Sequence, residues 1–246
     1  MIANKTASTI LAIALIATPA LAQKHAKDKD KPVDAPVAAA STTAASEHEV
    51  IEQIDRAERT RERTLSGYTV TEHYVIKNNR MSDPLDAVVT VVYKSGEGKT
   101  YTVVSNTGHG ILNKVFNSLL DSEKRLSTPA ARKDAIITSD NYKFTLTGQE
   151  KVGGRLCNVL TANPVRKNDF TLHGRIWVDA ENGLMVKLDG IPGASPSFLS
   201  GKPHVVREYG EQHGFSLARH SHATTSSFIS GDTTVDIDYT GYSLTH

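Results

Sequence analysis

The sequence predicts an α+β domain, in which a strongly curved antiparallel sheet of about ten strands forms a half-barrel whose concave face is covered by helices. The first observation is that apolar and polar residues alternate in many short segments between residues 68 and 242, which is typical of strands with one buried face. The second is that only short turns separate these segments, which favours antiparallel neighbours. The third is that only two long segments have helical spacing, and so few helices favour a curved sheet covered on one side.

The first 46 residues are predicted to lie outside this domain. Lys5 precedes an apolar run that is too short to span a bilayer, and Ala20-Leu21-Ala22 fits the small-residue cleavage rule. Residues 1–22 are therefore predicted to be a cleaved secretory signal peptide. Residues 23–46 are rich in charged residues, Ala, Pro, Ser and Thr, which predicts a disordered linker. The folded domain is predicted to span residues 47–246 of a soluble periplasmic protein without a lipid anchor.

Charge and cysteine content exclude several kinds of protein. The chain has 28 Lys and Arg residues against 27 Asp and Glu residues, and removal of the signal peptide with Lys5 leaves 27 against 27. A chain without net charge has no electrostatic reason to bind nucleic acid or an anionic lipid surface. Cys157 is the only cysteine, so no intramolecular disulfide can form and the core must stabilise the fold.

Two segments have the spacing of amphipathic helices. The first spans His48 to Arg63, and its charges alternate in sign, which favours a solvated face with local ion pairs over a nucleic-acid surface. The second follows Gly108-His-Gly110 and ends before Pro129. Its apolar stripe consists of Ile111, Leu112, Val115, Phe116, Leu119 and Leu120.

The remaining segments alternate as strands and favour β-branched and aromatic residues. In chain order, the predicted strands are residues 68–76, 88–93, 100–104, 142–146, 156–165, 172–179, 184–188, 205–209, 215–228 and 234–242. The clearest hairpin joins the sixth and seventh strands through Glu181-Asn182-Gly183, because an Asn-Gly pair accepts the positive φ angles of a tight turn.

The two faces of this hairpin are predicted to have different roles. Alternation places Ile176, Val178 and Val186 on the buried face and Trp177 on the opposite face. Trp177 has two interpretations: it packs within the domain with Arg175 stacked on its ring, or it belongs to a partner-binding patch. Packing is the favoured interpretation.

The assembled pattern resembles the superfamily of periplasmic lipoprotein carriers, the LolA-like fold shared with LolB and the N-terminal domain of RseB. The motifs that carry the resemblance are Gly174-Arg-Ile-Trp-Val-Asp179 with Gly183-Leu-Met-Val186, Asn141-Tyr-Lys-Phe144, Gly153-Gly-Arg-Leu-Cys157, and Asp236-Ile-Asp-Tyr-Thr-Gly-Tyr242. The resemblance covers about residues 47–246 and is closest to the outer-membrane lipoprotein-sorting group. It implies an apolar concavity under helical lids that receives acyl chains.

The predicted ligand-binding residues are the large side chains on the inward face of the strands. They are Tyr68, Val70, Tyr74, Tyr142, Phe144, Ile176, Val178, Val186, Ile237 and Tyr239. The predicted function is to bind or carry a lipid, a lipoprotein acyl chain or a similar apolar ligand in the cell envelope. The alternatives are that these residues form a dry core, and that the protein is a non-enzymatic sensing or protein-interaction module resembling RseB. The predicted partners are a lipid or an acylated protein, and an envelope protein under the second alternative.

No residue pattern predicts catalysis, a metal site or a cofactor. His220 and His222 share one side of a strand, but two ligands do not make a metal site, and a polar outer face explains them better. Gly193-Ala-Ser-Pro-Ser197 lacks the final glycine of a nucleophile elbow. Cys157 lies in an apolar strand and is predicted to be a buried, inert thiol. The protein is therefore predicted not to be an enzyme.

Overall fold

The computed structural model describes residues 45–166, 171–193, 203–227 and 231–245. Its elements are α1 (Glu47–Thr64), β1 (Gly67–Asn78), β2 (Leu85–Lys94), β3 (Gly98–Asn106), α2 (Gly110–Leu126), α3 (Pro129–Ala135), β4 (Tyr142–Val152), β5 (Arg155–Pro164), β6 (Leu172–Asp179), β7 (Met185–Pro192), β8 (His204–Gln212), β9 (Phe215–Ser227) and β10 (Gly231–Thr245). The predicted signal peptide and most of the predicted linker lie outside these ranges and stay predictions. Among the described residues, no helix has both the length and the apolarity that a membrane span requires.

All ten strands form one sheet in the order β3-β2-β1-β10-β9-β8-β7-β6-β5-β4, and every neighbouring pair is antiparallel. The strands β1 and β10, which are far apart in the sequence, meet at the interior of the sheet, whereas β3 and β4 form its two edges. Among the described strands, β3 and β4 do not pair with each other, so the sheet is not closed into a barrel. The predicted fold class and strand number are confirmed, and α3 adds a short third helix that the sequence reading did not separate from the segment after α2.

The helices cover one face of the sheet in two separate patches. Leu112 and Phe116 of α2 pack on β1, β2, β9 and β10. Val50 and Ile54 of α1 pack on strands β4 to β7. The start of α1 is fixed by a capping box between Ser46 and Glu49, which satisfies backbone N–H groups that the first helical turn leaves free. The hydrophobic core on the helix-covered face is therefore two clusters, one under each long helix.

The sheet curves strongly around the helices. Lys99 on β3 and Arg207 on β8 both contact the carboxylate of Glu123 on α2, at 3.1 Å and 3.3 Å. Five strand spacings separate β3 from β8, and a flat sheet would hold them about 24 Å apart. One carboxylate contacts both cations, as a concave helix-covered face would allow.

A register shift in the β6–β7 hairpin overturns one predicted residue. Trp177 pairs with Lys187, but Val178 pairs with Met185, so β7 has one extra residue at this point. Met185 therefore joins the concave-face cluster with Val178. Val186 packs instead with Trp177 on the opposite face, and its predicted position in the concavity is wrong.

Trp177 has the packing role that the sequence analysis favoured. Its side chain is only 2% exposed. The indole Nε1 donates a hydrogen bond of 2.8 Å to Glu150, and the charged groups of Arg175 and Lys187 each lie 4.8 Å from the ring centre. These long side chains cover the indole on the convex face of the sheet.

The turn between β6 and β7 is wider than predicted. Five residues, Ala180 to Leu184, separate the strands, and only Gly183 among them has a positive φ, of 72°. A Cβ on Gly183 would lie 2.8 Å from the carbonyl carbon of Gln53, so the turn contacts the backbone of α1. A two-residue turn joins β8 to β9 instead, where His213 and Gly214 have φ angles of 51° and 82°.

We expect Gly183→Ala to destabilise the protein more than Gly214→Ala. Both positions have a positive φ, which costs an L-residue about 1–2 kcal/mol. Open space surrounds Gly214, whereas Gly183 faces the backbone of Gln53, so only Gly183→Ala must also displace α1. Urea unfolding of the two variants measures the difference. Gly210→Ala is the control, because Gly210 has neither a positive φ nor an atom within 4 Å of the added Cβ. Equal losses at positions 183 and 214 would show that the contact between the turn and α1 adds nothing.

Candidate functional site

A cavity of about 330 Å³ lies between the concave face of the sheet and the three helices. This volume is within the range of small-molecule sites, which is about 300–1,000 Å³. Residues from α1, α2 and α3 and from strands on both sides of β10 line it. The cavity therefore lies where the two hydrophobic clusters meet.

One part of the cavity wall is apolar. Its side chains follow α3 or belong to β6 and β7, and they are Ile136, Ile137, Leu172, Met185, Leu188 and Pro192. Met185 and Leu188 are buried in the cluster under α1, whereas Ile137 and Leu172 are half-buried and pack against it. The half-buried side chains keep apolar surface that a ligand would cover.

Another part of the wall carries four charged side chains, Glu72, Lys99, Glu123 and Arg207, which we call the polar centre. Lys99 Nζ lies 3.1 Å from Glu123 Oε2 and 3.8 Å from Glu72 Oε1. Arg207 donates from Nη2 to Glu123 Oε1 at 3.3 Å and from Nε to Ser221 Oγ at 2.8 Å. All four side chains are less than a third exposed. Charged side chains with so little exposure to water need oppositely charged partners, because the ion pairs offset the free-energy cost of desolvation.

The two glutamates of the polar centre respond differently to burial. Burial raises the pKa of Glu72, and the opposing effects of Lys99 and of the hydrogen bond from Tyr74 are smaller. Burial acts in the same direction on Glu123, but Lys99 and Arg207 outweigh it and lower the pKa of Glu123 to about 2. Glu123 is therefore ionised at neutral pH, whereas Glu72 takes up a proton more readily than an ordinary glutamate.

A second group of charges connects α1 to α3. Glu58 and Arg61 line the cavity, 3.8 Å apart, and burial raises the pKa of Glu58. Arg132 of α3 pairs with Glu62 of α1 and lies over the ring of Tyr93. The charged face of α1 was predicted to be solvated, and for Glu58 and Arg61 this is wrong, because they face the cavity instead of water.

The ten residues predicted to bind ligand fall into three groups. Tyr68, Tyr142 and Tyr239 line the cavity. Val70, Tyr74, Phe144, Ile176, Val178 and Ile237 are buried in the two clusters around it. Val186 lies on the convex face. The prediction that the first group contacts a ligand stays a prediction.

The sequence reading missed the charged residues of the cavity. One signal was available for Glu72. It lies two residues from both Val70 and Tyr74, and this spacing places it on the same buried side of β1. Lys99, Glu123 and Arg207 give no comparable signal, because only the curvature of the sheet brings them together.

The other candidate residues lie away from the cavity. His220 and His222 pair with Asp238 and Asp236 at 2.8 Å and 2.6 Å. Within the described ranges, no group of three or more His, Cys, Asp or Glu side chains could hold a metal ion. Cys157 is buried as predicted, and burial raises the pKa of its thiol. Most of the Gly193–Ser197 segment lies outside the described residues.

Comparisons with known proteins agree with the resemblance inferred from the motifs. The family described as the MucB/RseB N-terminal domain matches residues 44–194, which confirms that inference. No curated protein matches the chain. Similar solved structures include a domain named as an outer membrane lipoprotein-sorting protein from Vibrio parahaemolyticus, with 14% identity over 80% of this chain and 92% of that chain and a TM-score of 0.47. A LolA superfamily protein from Nitrosomonas europaea has 11% identity over 82% and 95%, with a TM-score of 0.41. The MucA/MucB complex of Pseudomonas aeruginosa has 12% identity over 78% and 92%, with a TM-score of 0.26.

We expect Glu123→Gln to destabilise the protein by about 2–3 kcal/mol at neutral pH. Breaking a fully buried ion pair costs about 3–5 kcal/mol, and we expect less here because water reaches part of the polar centre. Lys99 and Arg207 would lose their shared counterion. The exposed Asp121 on the same helix offers the matched control Asp121→Asn, for which we expect little change in urea unfolding. Similar losses in both variants would contradict the role of Glu123.

The stability difference between the protein and Glu123→Gln should depend on pH. The folded-state pKa of Glu123 is about 2, below its ordinary value of 4.5. Its stabilising contribution is therefore complete above about pH 4.5 and is lost as the pH falls toward about 2. Urea unfolding at a series of pH values should show the two proteins converging in this interval. A constant difference down to the lower limit would contradict the assignment.

Proposed function

This chain belongs to the family of MucB/RseB N-terminal domains, and from this premise we propose that it is a binding or carrier protein of the cell envelope for a lipid, a lipoprotein acyl chain or a similar apolar ligand. The observation that carries the proposal is the cavity of about 330 Å³ between the curved sheet and the helices. A partly open cavity with half-buried apolar side chains in its wall offers an acyl chain a surface to cover. The function proposed is therefore binding, not catalysis.

The energetics of burial support this choice of ligand. Each methylene group that leaves water contributes about 0.8 kcal/mol, so a segment of six to eight methylenes would contribute roughly 5–6 kcal/mol before the cost of association. Ile137 and Leu172 are half-buried beside the buried Met185 and Leu188, and they offer the surface for this contact. An acyl chain would complete a core that the two clusters leave open between them.

The proposed location is the periplasm, and the support for it lies in the sequence. The predicted signal peptide of residues 1–22 would direct export, and no cysteine near its predicted cleavage site offers a position for a lipid anchor. In the periplasm, acyl chains in transit between membranes need a protein that shields them from water.

A second candidate function is sensing through a protein partner, and the edge strand β3 favours it. Among the described residues, β3 has a neighbouring strand on one side only. Val103 and Val104 on this strand are 46% and 65% exposed. An apolar, exposed edge can add an extended segment of a partner protein as a further strand.

We expect a substitution that fills the cavity to weaken ligand binding. Ile137→Trp places a large side chain in the cavity wall and should reduce binding of a fluorescent long-chain alcohol at least tenfold. Ile111→Trp makes the same change at an exposed position on α2 that does not line the cavity, and it should bind like the unchanged protein. Urea unfolding checks that both variants fold. Mass spectrometry of protein purified from the periplasm should also find a bound lipid, and a protein that carries no lipid and binds no alcohol would refute the carrier function.

The alternative function makes a separate prediction about β3. A photocrosslinker at the exposed Ser105 should attach to one envelope protein, and Val104→Lys should abolish this adduct, because charged residues protect a strand edge against pairing. The same crosslinker at Lys151, on the opposite edge strand β4, is the control. Equal adducts from both edges, or none from Ser105, would count against a specific partner at β3.

A further inference from the structure

The polar centre is more elaborate than a site for a purely apolar ligand requires. Its four charged side chains, together with the hydroxyl groups of their hydrogen-bond network, come from six elements. These are β1 (Glu72 and Tyr74), β3 (Lys99), α2 (Glu123), β8 (Arg207), β9 (Ser221) and β10 (Tyr239). Ordered charges in a concave face cost desolvation free energy, and apolar residues of similar size would often stabilise such a position better. The wall of an acyl-chain site would be expected to be apolar throughout.

The charges that line the cavity favour an anion. The basic residues are Arg61, Lys99, Arg132 and Arg207, and the acidic residues are Glu58, Glu72 and Glu123. Arg132 is already paired with Glu62 of α1, so the other three cations face three carboxylates. Glu58 and Glu72 both have a raised pKa, chiefly because they are buried, so an excess of positive charge arises when either is protonated.

The geometry around the two cations of the polar centre leaves an anion a suitable set of donors. Lys99 and Arg207 share Glu123 as their close counterion, whereas Glu72 lies farther from Lys99, at 3.8 Å, and accepts a hydrogen bond from Tyr74. The phenol groups of Tyr68, Tyr209 and Tyr239 also line the cavity. Ammonium, guanidinium and phenol groups are the donors that carboxylates and phosphates accept hydrogen bonds from.

We propose that the polar centre binds the anionic head group, a carboxylate or a phosphate, of an amphiphile whose acyl chain lies against Ile137, Leu172 and Leu188. This inference rests on the proposed carrier function and adds the chemical class of the ligand. Lys99 and Arg207 contact the anion, while Glu123 keeps both cations in place from α2. The apolar wall shields the chain, and the polar centre sets its direction in the cavity.

Binding of an anion is coupled to protonation of Glu72. The titratable and charged groups that face Glu72 come from five elements: Tyr74 on its own strand, Lys99 and Tyr101 on β3, Glu123 on α2, Arg207 on β8, and Tyr239 and Tyr242 on β10. An added anion beside Lys99 competes with Glu72 for that cation. The Glu72 carboxylate then takes up a proton more readily, because the anion disfavours its charged form. Affinity for an anionic amphiphile should therefore rise as the pH falls toward the raised pKa of Glu72, whereas affinity for an uncharged one should not.

The test compares ligands that share a sixteen-carbon chain and differ in the head group. Titration calorimetry with palmitate, hexadecyl phosphate and hexadecanol measures the three affinities, and inorganic phosphate alone measures binding of the anion without a chain. We expect both charged amphiphiles to bind about ten- to hundredfold more tightly than the alcohol, as charge-assisted hydrogen bonds would produce. The stronger of the two identifies the head group, and tight binding of inorganic phosphate alone would overturn the assignment of an amphiphile.

Two substitutions separate a binding role of the polar centre from a structural one. Lys99→Met should weaken binding of palmitate at least tenfold and leave hexadecanol unchanged. Glu72→Gln should strengthen binding of palmitate severalfold and remove its pH dependence, because the competing carboxylate is gone. The exposed Lys114 on α2 provides the control Lys114→Met, which should change neither. A polar centre with only a structural role would give no gain in affinity from Glu72→Gln.

The outcomes distinguish this inference from the proposed function. If hexadecanol binds as tightly as palmitate, and Lys99→Met changes neither affinity, the polar centre does not bind the head group and the carrier function remains. If none of the sixteen-carbon ligands binds the folded protein, both proposals fail together.

Discussion

The carboxylate of Glu123 is the contact on which the geometry of the concave face depends. It lies on α2 and binds one cation from β3 and another from β8, so it bridges strands that lie five positions apart in the sheet. Hydrophobic packing holds α1 and α2 on separate clusters, and packing alone is not directional. The bridged carboxylate adds a directional contact between α2 and two distant strands, and it lines the cavity that lies between the two clusters.

The fold could be predicted from the sequence largely because strands with one buried face show a period of two. Tyr68, Val70 and Tyr74 alternate with exposed or half-buried residues, and the structure buries all three. The prediction failed where the backbone departs from regularity. The register shift between Met185 and Lys187 reverses the side on which Val186 lies, and neither Met185 nor Val186 is a residue type that signals a bulge.

The site was less predictable than the fold, for a different reason. Alternation identifies which face a residue occupies, but not whether that face is filled at that point. Val70 and Ile237 are on the correct face, yet they are covered by neighbours and do not line the cavity. Lys99, Glu123 and Arg207 converge from positions separated by 24 and 84 residues. The chain has almost no net charge, and this overall balance gives no sign that several charged side chains gather in one cavity wall.

The pairing of β1 with β10 has a consequence for the order in which the protein is made. β1 is among the first folded residues to emerge during synthesis, but one of its two neighbours in the sheet is formed by residues 231–245. Until those residues are available, β1 and β2 have no connection to β9 and β8, and the cations on β3 and β8 cannot meet over one carboxylate. A partly synthesised chain therefore lacks the complete cavity. Completion of the sheet and creation of the site are the same event.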